Sequence, residues 1–162
     1  VKGHADFALM FNPSHMRELT VRAHKEIPLG FISLPSHPVA ALSEARFSVA
    51  AEYPVIVPSP PLALWRPIGL LEAETGIEIA AVARADNIQM IKSLVLEGTG
   101  IGILSYLDAY DEVQKNQLAF TPIVHKKLTP LSLALCVDRS RQLSTAARFI
   151  ISEIENFFLE QL

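Results

Sequence analysis

The chain has 162 residues, half of them hydrophobic and 19% charged, with a formal net charge of −3 and one cysteine. That composition supports a sizeable core, argues against wholesale disorder and lacks the basic balance of a nucleic-acid-binding surface. Cys136, alone and inside the apolar run 131–137, excludes an internal disulfide framework and reads as a buried strand thiol in a reducing compartment.

Residues 1–10 carry no signal-peptide pattern, and no apolar run is long enough to span a bilayer. Phe7 to Phe11 is continuously apolar, which predicts a strand covered on both faces. Its place so near the first residue reads as the start of a fragment. Asn12-Pro13-Ser14-His15 breaks it. Leu19 to Val21 is a second short apolar piece, and Ile27 to Ile32 a third, whose Pro28 predicts an edge strand or a strand start. Leu34 to Pro38 is a turn, and Ser43 to Arg46 reads as a helical turn. Tyr53 to Val57 predicts a strand ahead of the stiff loop Pro58-Ser59-Pro60-Pro61.

A helix is predicted from about Arg66, with Pro67 at its first position, Ile68, Leu70 and Leu71 on an apolar side, and Gly76 at its end. Ile77 to Val82 predicts a strand. Asp86 and Gln89 have capping-box spacing for a helix whose apolar face is Ile88, Ile91, Leu94 and Val95, stopped by Gly98. Ile101 to Leu104 is a strand. Ser105, with Asp108 at the box position, caps a further helix presenting Leu107, Tyr110 and Val113. Leu118 to Val124 and Leu131 to Val137 are strands, and Ser144 caps a last helix with apolar positions Ala147, Ile150, Ile154, Phe157 and Phe158. Strands alternating with helices predict an α/β domain with a mainly parallel sheet.

Gly-x-Ser-x-Gly, His-Glu-x-x-His and Walker signatures are missing from the sequence. Gly98-Thr99-Gly100-Ile101-Gly102 follows a helix and opens a strand, the reverse of a dinucleotide turn, so its glycines are structural. The histidines at 4, 15, 24, 37 and 125 have no metal-ligand spacing, and no metal or other cofactor is expected. Glu72 and Glu74, like Glu153 and Glu155, read as polar helix faces, and Trp65 as a packing anchor beside a helix start. In open α/β sheets, ligands collect beyond the carboxyl ends of strands. That rule selects Phe11, Asn12 and Pro13, then Ser59 and Pro60 with Pro61, then Asp86 and Asn87. Asp86 serves either as a plain cap or as a ligand contact, and a carboxylate there disfavours an anionic ligand.

Five segments in order resemble the effector-binding domain of LysR-type transcriptional regulators. They are Gly3 to Leu9, Leu34-Pro35-Ser36-His37-Pro38-Val39-Ala40, Glu52 to Ser59, Ile91 to Leu104, and the closing pieces Leu118 to Ile123 and Leu143 to Ala147. Ser105 stands where the family has a proline. The resemblance implies an α/β, periplasmic-binding-protein-like type II two-lobe domain, truncated at its N-terminus. Residues 1–22 and 139–162 would be the remnant of an incomplete first regulatory lobe, and 23–138 a second. It also implies a cytoplasmic homo-oligomer, not an enzyme and not membrane-bound, that senses a small-molecule effector between its lobes. DNA would be reached only through a missing helix-turn-helix domain. The effector contacts implied are Phe11, Asn12, Pro13, Ser59, Pro60, Asp86 and Asn87. A transporter's solute-binding protein shares the two-lobe architecture and is the alternative. A small α/β enzyme is a third reading, and it would need titratable groups converging at strand ends, where only Asp86 qualifies.

Overall fold

A computed structural model describes residues 5–13, 19–126, 128, 130–138 and 142–160. His4, His15 and Ser14 lie outside the described residues. Contacts divide the chain into two units, Val1–Ile27 with Pro130–Leu162, and Pro28–Thr129. The divisions fall at Ile27/Pro28 and Thr129/Pro130 rather than at 22/23 and 138/139. The physical reason is strand pairing: β2 (Leu19–Ile27) and β9 (Leu131–Asp138) pair along their lengths, and the expected boundaries would cut β2 and put β9 apart from the first half of β2.

In the first unit, β1 (Phe7–Phe11) and β2 flank β9, both antiparallel to it. β2 is longer than its apolar start suggests, because Arg22, His24 and Glu26 put polar side chains on alternate, exposed positions. Helix α5 (Thr145–Glu160) begins at Ser144, whose Oγ accepts from the Ala147 N–H at 3.1 Å. Leu135, Val137 and Ile151 form a buried cluster, joined by Phe7, Ala23, Leu143 and Ile154. Two apolar expectations fail here. β1 is an edge strand covered only in part, with Leu9 49% exposed, and on α5 the buried positions are Ala147, Ile151 and Phe158 while Ile150 is 46% exposed. Cys136 is buried in β9, which pushes its thiol pKa up.

The second unit is built on a six-stranded sheet. Its strands are β3 (Leu29–Ser33), β4 (Ala45–Arg46), β5 (Val55–Pro58), β6 (Ala81–Ala85), β7 (Ile101–Ser105) and β8 (Ala119–Val124), in the order β4-β8-β3-β7-β5-β6. The sheet is mixed, not mainly parallel. β5 runs parallel to β6 and β7, and β4 to β8, whereas β3 runs against both β7 and β8. Pro28 therefore starts a central strand and does not mark an edge. Every residue of β3, β5 and β7 is buried, as expected of strands covered on both faces.

Residues 43–46 do not form a helical turn. Ala45 and Arg46 join the sheet beside β8, and the helical pieces are a 3-10 turn at Pro38–Ala41 and the short α1 (Val49–Glu52). Helix α2 (Trp65–Thr75) starts one residue early and puts Pro67 third, still within the first turn, where no N–H has an intrahelical acceptor. Leu70 is 65% exposed, so Ile68 and Leu71 carry the burial. The strand expected at 77–82 is displaced to β6, because helix side chains and α1 take the earlier backbone groups. The Ile77 N–H donates to Thr75 Oγ1 (3.3 Å), that of Ile79 to Glu72 Oε1 (3.4 Å), and that of Ala80 to the Ala50 carbonyl (3.0 Å).

Helix α3 (Ile88–Leu96) lies on β3, β5 and β7 and buries Ile91 and Val95. It ends in a Schellman motif: the Gly98 N–H donates to the Val95 carbonyl and the Thr99 N–H to that of Leu94. Gly98 has φ +75°, which a side chain rarely tolerates. Ser105 and Asp108 form the expected reciprocal pair, with Ser105 Oγ donating to Asp108 Oδ2 (2.6 Å) and accepting from the Asp108 N–H (3.3 Å). They lead through a 3-10 turn at Leu107–Ala109 into α4 (Tyr110–Gln114).

Candidate functional site

Parallel pairing places the carboxyl ends of β5 and β6 side by side, with Val57 opposite Arg84 and Pro58 opposite Ala85. The Ser59 N–H donates to the Ala85 carbonyl at 2.9 Å, so the two loops leave the sheet at one level. The structure thereby brings together four of the expected contacts: Ser59, Pro60, Asp86 and Asn87. Ser59 is half-buried, and the other three are exposed. The Pro60–Pro61 peptide is cis. Turns from Ser59 to Leu62 and from Leu62 to Trp65 carry the chain into α2.

Asp86 is not the cap of α3. Asn87 is: its Oδ1 accepts from the N–H groups of Gln89 (2.8 Å) and Met90 (3.2 Å), and its own backbone is extended. The capping-box spacing from Asp86 to Gln89 therefore has no structural counterpart. An Asp-Asn pair offers two residues able to cap, and the polar side chain nearer the first helical turn takes the role. Asp86 is left one position outside the helix, and among the described residues its carboxylate makes no hydrogen bond. The end of β5 and β6 thus presents a hydroxyl, a carboxylate and the amide nitrogen of a capping asparagine. This set can hydrogen-bond a polar ligand and disfavours an anion.

Phe11, Asn12 and Pro13 lie together in the other unit, at the end of β1. Asn12 has φ +48°, a conformation asparagine tolerates better than most residues. Its N–H donates to the Ser132 carbonyl (2.7 Å) and its Oδ1 accepts from the Ser132 N–H (2.9 Å). The side-chain oxygen thus extends the β1–β9 ladder, an architectural role that the sequence did not separate from ligand contact.

Two polar features went unread in the sequence. His37 caps the 3-10 turn, its Nδ1 accepting from the Val39 N–H at 3.2 Å, and its ring meets Tyr53 edge to face at 4.7 Å. Burial lowers its pKa. Behind α3, Lys92 Nζ donates to Glu112 Oε1 of α4 at 2.8 Å, while Glu112 Oε2 is buried without a partner. Burial pushes the Glu112 carboxyl up, but hydrogen bonds from Lys92 and the backbone, with the Lys92 and Lys115 charges, hold it below its ordinary value. Helical spacing makes Lys92 look like an ordinary surface lysine, because its partner comes from a different helix.

Among the described residues no group of three His, Cys, Asp or Glu side chains could hold a metal, and no helix is long and apolar enough to cross a membrane.

The LysR substrate binding domain family matches residues 1–158. Among solved structures, the chain is similar to the CcmR regulatory domain of Synechocystis PCC6803 in complex with 2-PG, with 15% identity and TM-score 0.71, covering 98% of this chain and 76% of that one. The effector binding domain of QuiR in complex with shikimate aligns at 16% identity and TM-score 0.67, over 97% and 73% of the two chains. A reduced form of OxyR from N. meningitidis aligns at 15% identity and TM-score 0.66, over 95% and 71%. No curated protein sequence matches the chain. The mixed α/β, two-sheet architecture is that of LysR effector-binding domains, consistent with a periplasmic-binding-protein-like type II fold. With the family matched over nearly its whole length, the chain belongs to the LysR substrate binding domains.

Proposed function

We propose that this domain senses a small polar metabolite and, without chemistry of its own, relays its presence to DNA binding by a homo-oligomeric, cytoplasmic LysR-type regulator. In this reading the second unit is the second regulatory lobe, and the first unit contains the described part of the first lobe. The observation that carries the contact assignment is the Ser59–Ala85 hydrogen bond, which sets Ser59, Pro60, Asp86 and Asn87 at one end of adjacent parallel strands. Ligands of open α/β sheets gather at that end. The exposed Asp86 carboxylate selects neutral or cationic polar groups over anions. Phe11, Asn12 and Pro13 are the contacts proposed on the first unit.

Thermal-shift measurement against a panel of neutral and cationic polar metabolites tests the reading, with shikimate, the carboxylate present in the QuiR structure, as the anionic comparison that should shift less. A ligand at a hundredfold excess over its Kd stabilises by about 2.7 kcal/mol, roughly 5–10 °C in a chain of this size. Ser59→Ala and Asp86→Ala should each reduce that shift. An unchanged shift in both would overturn the site, and a gel-shift assay indifferent to the stabiliser would overturn the regulatory role.

A further inference from the structure

Away from the β5 and β6 loops, the second unit holds an open cavity of about 710 Å³ lined by Arg46, Phe47, Ser48, Thr75, Ile77, Val124, His125 and Lys126. Three separate parts of the fold build it: the passage from β4 into α1, the end of α2, and the end of β8. We propose that this cavity is a second binding site, distinct from the proposed effector contacts, for a small organic anion with an apolar body.

The charge of the lining carries the argument. In a chain with 17 acidic and 14 basic residues, the described residues lining the cavity include Arg46, Lys126 and His125 and no carboxylate. Among the described residues neither Arg46 nor Lys126 is in an ion pair, so both charges are available to a ligand. A guanidinium offers paired donors to a carboxylate or phosphate, and an ammonium adds a point charge. A simpler reading would make these cations complements of the carbonyl end of α2. Part of that end has partners of its own, however: the Gly76 N–H donates to the Glu72 carbonyl at 2.9 Å and Thr75 Oγ1 donates to that of Leu71 at 2.6 Å.

The rest of the lining sets the ligand's shape. Phe47 is buried beneath the cavity, Ile77 is half-buried, and Val124 leaves 39% of its surface exposed there. An apolar ring or chain would cover that surface. The Ser48 hydroxyl does not cap α1 and can donate to a bound oxygen. The volume is in the range that small-molecule sites occupy. The shared chemistry is an anionic head on an apolar body, and carboxylate and phosphate heads are separable by probe.

The test is titration of the chain with benzoate, phenyl phosphate and inorganic phosphate, followed by nitrogen–proton NMR correlation spectra. Benzoate or phenyl phosphate should shift the amides of 46–48, 75–77 and 124–126 saturably, the tighter of the two identifying the head group, with inorganic phosphate weaker. The double variant Arg46→Ala/Lys126→Ala, both exposed positions, should retain the wild-type spectrum elsewhere and weaken Kd at least tenfold. Ser59→Ala should leave this binding unchanged, which separates the cavity from the effector site. Three results would overturn the proposal: neither organic probe saturates, the double variant binds as the parent does, or the shifts fall at 59–60 and 86–87 instead.

Discussion

Lys92→Met isolates the one buried charge pair described in the second unit. Lys92 is 7% exposed and Glu112 19%, and Glu112 Oε2 already lacks a partner. Methionine keeps most of the lysine stem's packing and removes the charge, which strands a carboxylate in the core. Breaking a buried pair from one side typically costs 3–5 kcal/mol, and the partial exposure of Glu112 puts this case at the lower end, about 3 kcal/mol. That corresponds to a fall in Tm of roughly 6–12 °C. Replacing both partners, Lys92→Met with Glu112→Leu, removes the stranded charge, so the double variant should come within about 1 kcal/mol of the parent. Urea titration followed by the fluorescence of Trp65, the single tryptophan and a residue of the same unit, reads the transition. The pH dependence is a second signature. In the parent, Glu112 is held below its ordinary value. Its contribution is therefore present above the unfolded carboxylate pKa of about 4.5 and is lost as pH falls through the folded value. In Lys92→Met the Lys92 hydrogen bond and charge are gone, leaving the backbone hydrogen bond and the Lys115 charge to oppose burial, so the loss of stability as pH falls should be smaller than in the parent. A cost below about 1 kcal/mol, or a double variant as weak as the sum of the singles, would refute the argument.

The cap assignment predicts that Asn87→Ala costs about 1 kcal/mol in urea titration while Asp86→Ala costs almost nothing; equal costs would show that both residues cap. Gly100→Ala would drive a Cβ into the Pro54 carbonyl oxygen, which already accepts from the Ile101 N–H at 2.9 Å. A backbone shift there should cost about 1–3 kcal/mol, and an unchanged urea midpoint would contradict the close approach. His37 accepts at Nδ1 in the folded state and its pKa is lowered by burial, so the unfolded chain binds its proton more readily. Stability should be full above about pH 6.5 and fall as pH drops below it, and His37→Asn, which keeps a cap acceptor, should flatten that slope; an unchanged slope would exclude His37 as its source.

Sequence punctuation located most elements because the signals are local. Gly76 and Gly98 end helices through left-handed conformations, and Ser144 supplies a cap whose hydrogen bond is present. What was not legible depends on partners distant in the chain. Strand direction is the clearest case: β3 is antiparallel to both neighbours because β8 and β7 flank it, and nothing inside 29–33 encodes that. The two residues of β4 are a strand only because β8 offers an edge. Residues 77–80 have strand composition, yet Thr75 and Glu72 take their N–H groups first. Apolar faces were misjudged on α5 and β1 for a related reason. Periodicity identifies a stripe, but which part of it is buried depends on where Leu135, Val137 and Ile151 meet.

The candidate site follows the same division. The rule that ligands gather at strand ends selects Ser59 and Asp86 as candidates without any knowledge of the pairing, because each comes after a segment read as a strand. It could not assign the roles of adjacent polar residues, and that assignment decides ligand charge. With Asn87 capping α3, its oxygen is occupied by two of the helix's first donors, which leaves the Asp86 carboxylate as the acidic group beside Ser59 at that end. The cavity beside β4 and β8 has the opposite character, with Arg46 and Lys126 and no carboxylate among the described residues lining it. Two places in one unit with opposite charge preference should not compete for one ligand. A neutral or cationic effector that stabilises through Ser59 and Asp86 should therefore leave benzoate or phenyl phosphate affinity at the cavity unchanged, unless binding at one place alters the other's population of states. Equal displacement of one ligand by the other in a competition titration would mean that they share one site, and the assignment of separate charge preferences would fail.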